Sequence, residues 1–527
     1  MKRTYILLFS ISFSICIIFA LLTDHRWEDW YITYRASKNL AIGNGLTFTV
    51  GERVHSFTSP INTLLPALFA YIFKSNPDEF AIWLYRIVNS IVIGFCSVLI
   101  FKISDSLKLL STSRYIFIGL FLTNILIIDN SINGMETPYM MFFLLFIIYN
   151  LSKNEDSQIN LFVVAFTGLM YTRPDGFVYA FFLLFSYSLF HLNFKKEFCL
   201  PFIKKIFIAG AISILLYLPW TIITWLYYGT PIPNTVSAKS NLKVYEPLRL
   251  LLDFFILPFK LIIGKSMAHQ FFMPGYAYVG GWFKLGFPGK IVSTFAALAF
   301  LLPFPKMAKT LSLSVLFGIF YLEYVSGQGG MPWYLPNLTI QIIAVFVLAW
   351  DYFYSKYNFK IILITGILFP VYSLIILFLG GYQMRIQQVV IEFGNRKKIG
   401  EWLKANSTSE KSTVFMECLG YIGYYSGLKT YDFPGMSSLE VVKTLKEFKG
   451  TKKVNFANVI DKLRPDWVVL RPLEIDTVQK QVPGLLTSNY KLQKVFDVRK
   501  DIPSNWYLFG KEYLYFDAVF YVYKKSN

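Results

Sequence analysis

Two carboxylates, Glu28 and Asp29, stand side by side just beyond the first long apolar stretch of the chain. Acids placed next to a membrane are costly unless they have a partner or a task. One task suited to a carboxylate is general-base catalysis, in which it takes the proton of an attacking hydroxyl. The same stretch then supplies Arg35, Arg53 and His55 among turn glycines at Gly43, Gly45 and Gly51. Guanidinium groups make paired, charge-assisted hydrogen bonds to carboxylate and phosphate oxygens. Glu136, Arg173 and Lys239 follow in later polar stretches.

Each of these residues has a plainer reading. A first polar loop carries acids simply to hold water, and a lone Lys or Arg near the end of a span commonly snorkels to lipid headgroups. Glu136, directly ahead of an apolar helix, is favoured there by the helix dipole whatever else it does. Trp333 and Tyr334, in the run Gly327 to Pro336, either stack on a sugar or form an aromatic belt. His25, His191 and His269 have no ligand-spaced Cys, His or Asp neighbours, and no phosphate-cradling glycine motif occurs. Neither a metal nor a nucleotide cofactor is expected.

The elements that must position these residues are mostly membrane spans. Of 527 residues 55% are apolar and 16% charged, and mean hydropathy is +0.46, a composition foreign to soluble enzymes. Apolar runs of about the 20 residues that cross a bilayer fall near 4–22, 80–103, 115–130, 137–152, 159–172, 176–193, 205–227, 286–304, 310–326, 337–354 and 360–381. The net charge of +19 comes from short basic clusters between these runs, so membrane topology explains it and a nucleic-acid partner does not. With the N-terminus in the cytoplasm, Lys102, Lys108, Arg114, Lys153, Lys195, Lys196, Lys204, Lys205, Lys306, Lys309, Lys356 and Lys360 all fall inside. The loops 24–79, 131–136, 173–175, 228–285 and 327–336, and everything after Gly381, then face outward. Pro60 to Phe73 is too short to cross and reads as an interfacial or re-entrant helix. The first stretch lacks a small-residue cleavage site and reads as an uncleaved anchor. Of Cys16, Cys96, Cys199 and Cys418 only the last is placed outside, so no internal disulfide is expected.

From Met384 the apolar runs shrink to strand length, at Thr413 to Met416, Trp467 to Leu470 and Val519 to Tyr523. Amphipathic stretches at Arg396 to Lys404 and Ser438 to Phe448 alternate with them. The expected fold is a polytopic α-helical membrane protein of about eleven transmembrane helices with a C-terminal soluble α/β domain, divided into 1–382 and 383–527. The tail domain is expected to lie outside the cytoplasm.

Glu28-Asp29-x-Tyr31-Ile32-Thr33-Tyr34-Arg35, Gly43-x-Gly45, Gly51-Glu52-Arg53-Val54 and Thr58-Ser59-Pro60 together carry a resemblance. They resemble the first outer loop of type C glycosyltransferases (GT-C), similar to the bacterial arabinofuranosyltransferases and mannosyltransferases of envelope assembly. Gly134-Met135-Glu136-Thr137, Thr172 to Gly176, Tyr227-Tyr228-Gly229, Pro233-Asn234-Thr235 and Ala238-Lys239 extend it along the chain. So do Ile399 to Leu403, Gly420 to Gly427 and Arg464 to Leu470 in the tail. Relatives often open with Asp-Asp and a small residue where this chain has Glu28-Asp29 and Trp30.

The resemblance implies inverting transfer of a sugar from a polyprenyl-phosphate donor to a glycan, lipid or protein acceptor on the outer face. Asp29 or Glu28 is then the general base, and the other orients substrate hydroxyls. Arg35, Arg53, His55, Glu136, Arg173 and Lys239 are the candidates for holding the donor phosphate and the substrate, with Arg53 and Arg173 foremost. A flippase for lipid-linked saccharide would instead place ionisable residues at mid-membrane depth and repeat one half in the other. A non-catalytic envelope scaffold would not need the acid pair.

Overall fold

The structure, a computed structural model, describes residues 2–153, 157–192, 199–240, 246–264, 266–327, 330–357, 359–409, 411–448 and 456–526. Lys195, Lys196, Gln328 and Gly329 therefore lie outside the described residues. The chain divides into two compact units.

The first unit comprises Met1–Asp24, Tyr85–Pro219 and Tyr245–Gln383 and is helical. Among the described residues of the whole chain, six helices are long and apolar enough to cross a membrane, or seven if a bent pair at Ser111–Ile132 counts as one. They include α1 (Lys2–Thr23), the helix Leu200–Tyr228 and the almost wholly buried helix Pro332–Tyr357. Thr137–Ser152, Ile159–Thr172, Gly176–His191 and Phe287–Leu301 are apolar but shorter. By length and composition this is fewer than the eleven spans expected from the apolar runs, several of which fold as helices shorter than a bilayer. A buried charge in this unit is met by a local partner, as low-dielectric surroundings require: the Arg86 guanidinium, fully buried, pairs with Asp24 at 2.8 Å and donates to the Ile132 carbonyl.

The second unit gathers His25–Leu84, Trp220–Val244 and Met384–Asn527. Helix α2 (Glu28–Ala41) opens with two acids in its first turn, where the helix dipole favours them. Helix α3 (Pro60–Ile72) is capped by the Ser59 hydroxyl, which accepts from the Asn62 N–H, and has Pro60 in its first turn. The following helix, α4 (Pro77–Ser106), begins in this unit.

The tail holds a five-stranded sheet in the order β2-β1-β3-β5-β4. Its strands are β1 (Thr413–Met416), β2 (Lys429–Asp432), β3 (Trp467–Leu470), β4 (Tyr490–Asp497) and β5 (Val519–Lys525). The first three run parallel, and β5 is antiparallel to both β3 and β4. Alternation along β1 and β3 sends Phe415, Val468 and Leu470 into one buried cluster with Val441, Leu445 and Ile460. Val414, Met416, Trp467 and Val469 go into the other with Ile399, Leu403 and Ile422. Helices therefore cover both faces, the arrangement that continuous apolar strands demand.

A single helical run of 47 residues, Lys360–Asn406, leads into this sheet. Its middle, Gln387–Lys397, is π-helical. The wider turn gives that stretch a period near four, so Gln388, Glu392 and Arg396 all face inward.

Candidate functional site

The acid pair lies on the first turn of α2, and its two members are differently placed. Glu28 is engaged at both oxygens: Oε1 accepts from the Gly420 N–H at 3.2 Å and Oε2 meets the Arg396 guanidinium at 3.2 Å. Arg396 also pairs with Glu392 at 2.9 Å and with Asp517 at 2.9 Å, so three carboxylates share one guanidinium. Burial pushes the Glu28 carboxyl up to about 8; Arg396 opposes this, and Glu392, Glu417 and Asp517 add to it. Gly420 is required here, because a Cβ at that position would run into the Glu28 backbone. Asp29 stands half-buried on the same turn.

The cations of this unit fall into two kinds. Arg35 is buried, donating to the carbonyls of Gly423 at 2.6 Å, Gly427 at 2.9 Å and Leu428 at 3.0 Å, with its plane 4.3 Å from the Phe48 ring. Burial lowers its pKa to about 10. Those contacts tie α2 to the turn that ends the helix Gly420–Ser426. Arg53 is exposed, sits 5.0 Å from the Tyr227 ring and meets no carboxylate among the described residues. Lys239 is in the last turn of the short helix Asn234–Ser240.

His55 is buried and stacks on Tyr228 at 4.6 Å with the rings nearly parallel. Its Nδ1 has no hydrogen-bond partner, and burial lowers its pKa to about 4, so the ring is neutral at physiological pH. The loop around it is pinned from the Tyr227-Tyr228 motif. The Tyr228 hydroxyl donates to the Leu46 carbonyl and the Tyr227 hydroxyl accepts from the Leu46 N–H. Gly45 has φ +86 and lies directly against the Tyr227 hydroxyl, which leaves no room for a side chain. Asn234 receives the chain by donating its backbone N–H to the His55 carbonyl at 2.8 Å and its side-chain amide to the Gly435 and Met436 carbonyls.

Glu136 and Arg173 belong to the first unit, where they meet each other at 2.9 Å. Arg173 is saturated: Nη1 donates to Glu136, Nε and Nη2 to Asp175, and Nη2 also to the Tyr334 hydroxyl. Burial alone would lower its pKa, but Asp175, Tyr334 and Glu136 raise it well above the ordinary guanidinium value.

Thus the structure gathers Glu28, Asp29, Arg35, Arg53, His55 and Lys239 in one unit and couples Glu136 to Arg173 in the other. Sequence reasoning missed Arg396 as the partner of Glu28, and Glu392 and Asp517 as the acids that share that guanidinium. The available signal was the Glu392 and Arg396 pair, spaced for one helix face just past the last apolar run. Tyr334 was noted only as a belt or stacking residue, whereas it is a hydrogen-bond partner of Arg173.

Residues 382–518 match a family model described as a domain of unknown function (DUF8728). No curated protein matches the chain. Among solved structures, the oligosaccharyltransferase of Archaeoglobus fulgidus, tethered to an acceptor peptide with an NVT sequon, is similar at TM-score 0.54 and 13% identity over 96% of this chain and 75% of that one. ArnT from Cupriavidus metallidurans, bound to undecaprenyl phosphate, is similar at TM-score 0.52 and 10% identity over 99% of this chain and 98% of that one. The chain has the fold of these proteins.

Proposed function

We propose that this chain, built on the fold of membrane glycosyltransferases, is an integral membrane enzyme that transfers a sugar from a polyprenyl-phosphate carrier to a glycan, lipid or protein acceptor at the outer face of a bacterial inner membrane. The observation that carries this reading is the end-to-end match to a protein whose structure holds undecaprenyl phosphate. The acid pair on the first turn of α2 adds the chemistry that such a transfer needs.

Transfer with inversion breaks the bond between the anomeric carbon and the phosphate oxygen as the acceptor oxygen attacks from the opposite side. A base must take the acceptor proton, while polyprenyl phosphate leaves as an anion and needs no proton from a second acid. We assign the base to Asp29. Glu28, held at both oxygens, is a positioning residue that fixes the start of α2. Arg53, exposed and without a carboxylate partner among the described residues, is the cation best suited to the leaving phosphate. Arg35 is a structural tie, and neutral His55 suits a hydroxyl rather than a phosphate. Glu136 and Arg173 form a positioning pair, and Lys239 adds a further cation to the side that carries Arg53. The outward-facing tail and the division at residue 382 belong to the same reading.

The test is sugar transfer by the purified protein in lipid vesicles, with a panel of polyprenyl-phosphate sugars and crude envelope acceptors. Asp29→Asn is expected to lower turnover by about 10²- to 10⁴-fold, the usual contribution of a positioned base. Glu28→Gln is expected to retain a larger share. Consumption of no donor, or full activity in Asp29→Asn, would overturn the assignment.

A further inference from the structure

A second site lies at the far end of α2 from the acid pair. A cavity of about 480 Å³ is lined by Lys38, Ile42, Ala70, Tyr71, Lys74 and Pro77, among others. That volume falls in the range of small-molecule sites.

Two ammonium groups border it, and they are not equivalent. Lys38 is neutralised, meeting Asp78 at 2.8 Å while also donating to the Tyr424 hydroxyl. Lys74 lies 4.9 Å from the Tyr71 ring and meets no carboxylate among the described residues. Asp78 also accepts from the Tyr34 hydroxyl, and the neighbouring Glu79 is taken by a two-pronged bond to Arg26, so neither acid is left over for Lys74. With Lys38 and Asp78 cancelling, the cavity carries one uncompensated positive charge.

Its rim runs without a break into apolar surface. Tyr71 and Ile42 line the cavity yet are 58% and 60% exposed. From Tyr71 the exposed stripe continues along one face of α3 through Leu64, Leu68 and Ile72, at the spacing of a single helix side. An amphipathic helix with such a face buries it in the headgroup and acyl boundary of a bilayer.

We propose that this cavity and stripe form a binding site for an anionic membrane phospholipid, separate from the substrate site: the phosphodiester sits against Lys74 and the acyl chain lies along Leu64, Leu68 and Ile72. One net positive charge matches the single negative charge of a phosphodiester, and the stripe gives the attached chain an apolar surface that free phosphate would leave uncovered. The site anchors the second helix of the first outer loop to the lipid surface.

Native mass spectrometry of the full-length protein in detergent tests this, with phosphatidylglycerol, phosphatidylcholine or inorganic phosphate added. The difference in bound phosphatidylglycerol between the parent and Lys74→Glu is the readout. Lys74→Glu is expected to lose about tenfold in affinity at this site, Lys74→Arg to retain it, and Leu68→Gln to weaken it, with thermal midpoints unchanged because both side chains are exposed. Inorganic phosphate is expected not to displace the lipid. Equal retention by Lys74→Glu, equal binding of phosphatidylcholine, or full competition by inorganic phosphate would each overturn the site. Should Lys74→Glu fail to fold, loss of phosphatidylglycerol by Leu68→Gln but not by Lys74→Arg supports the proposal, and any other pattern overturns it.

Discussion

Arg173 in the first unit and Arg396 in the second are both buried guanidiniums ringed by acids, yet their bonding differs. Arg173 faces Glu136 and Asp175, spends Nε, Nη1 and Nη2 on them and adds the Tyr334 hydroxyl. Arg396 faces Glu28, Glu392 and Asp517, and its Nε donates to nothing. Nearby, Arg471 shares Asp517 and also holds Glu474 and Glu417. The first cluster thus sets two carboxylates against one cation and engages its every nitrogen, while the second sets five carboxylates against two cations and leaves the Arg396 Nε unused. A clamp engaged at every nitrogen fixes geometry. An acid-rich one has a protonation state that the environment can move, and it is the one that bears on the acid pair of α2.

The largest effect is expected from breaking the saturated clamp. Arg173→Ala takes from Glu136, whose side chain is only 4% exposed, its guanidinium partner. Such losses cost about 3–5 kcal/mol, so thermal unfolding in detergent should show a large drop in midpoint, partly recovered in Arg173→Lys. A midpoint unchanged in Arg173→Ala would mean that Glu136 is held by other groups and that the contrast with Arg396 is false.

A middle-sized effect is expected at the seam between α2 and the tail. Gly420→Ala would drive a methyl group into the Glu28 backbone, and overpacking of this kind costs about 1–3 kcal/mol. Hydrogen exchange along α2 should speed up in that variant while the β1 and β3 amides stay protected. Uniform destabilisation of the sheet would instead place the strain in the tail core.

How much of this was legible in the sequence follows from the range of each interaction. The strands at Thr413–Met416 and Trp467–Leu470 were readable because a run of β-branched and aromatic residues is a local signal. So was the helix Leu439–Glu447, with its Ser438 cap and strong amphipathicity. The apolar runs gave helices, but not which of them are long enough to cross a bilayer. Thr137–Ser152 and Gly176–His191 are continuous in hydropathy yet end at Lys153 and His191. The partner of Glu28 was hidden because Arg396 lies far along the chain, and nothing local in a single sequence pairs them. Arg35 illustrates the same limit: its type and loop suggested phosphate, whereas its three acceptors are backbone carbonyls, which no residue identity records.

The smallest effect, and the sharpest test of the acid-rich cluster, is the pH dependence set by Glu28. Its carboxyl is raised from an ordinary value to about 8, so between those limits the folded state binds a proton that the unfolded state releases. Stability is then greatest below the unfolded pKa and falls as pH rises through the folded one. Across pH 6.5 to 8 the decline is at most about 1.4 kcal/mol per pH unit, the equivalent of one proton. His55, lowered to about 4, is neutral in the fold while the unfolded ring still titrates near 6.5, so it adds a slope of opposite sign at the lower end of this range that fades above about pH 7.5. Glu28→Gln removes the titrating group but keeps a side-chain oxygen for Arg396, so this decline should be absent from it and its stability should exceed that of the parent near pH 8. The same slope in both proteins would place the surplus proton on Glu392 instead, leaving Glu28 a plain ion-pair partner of Arg396.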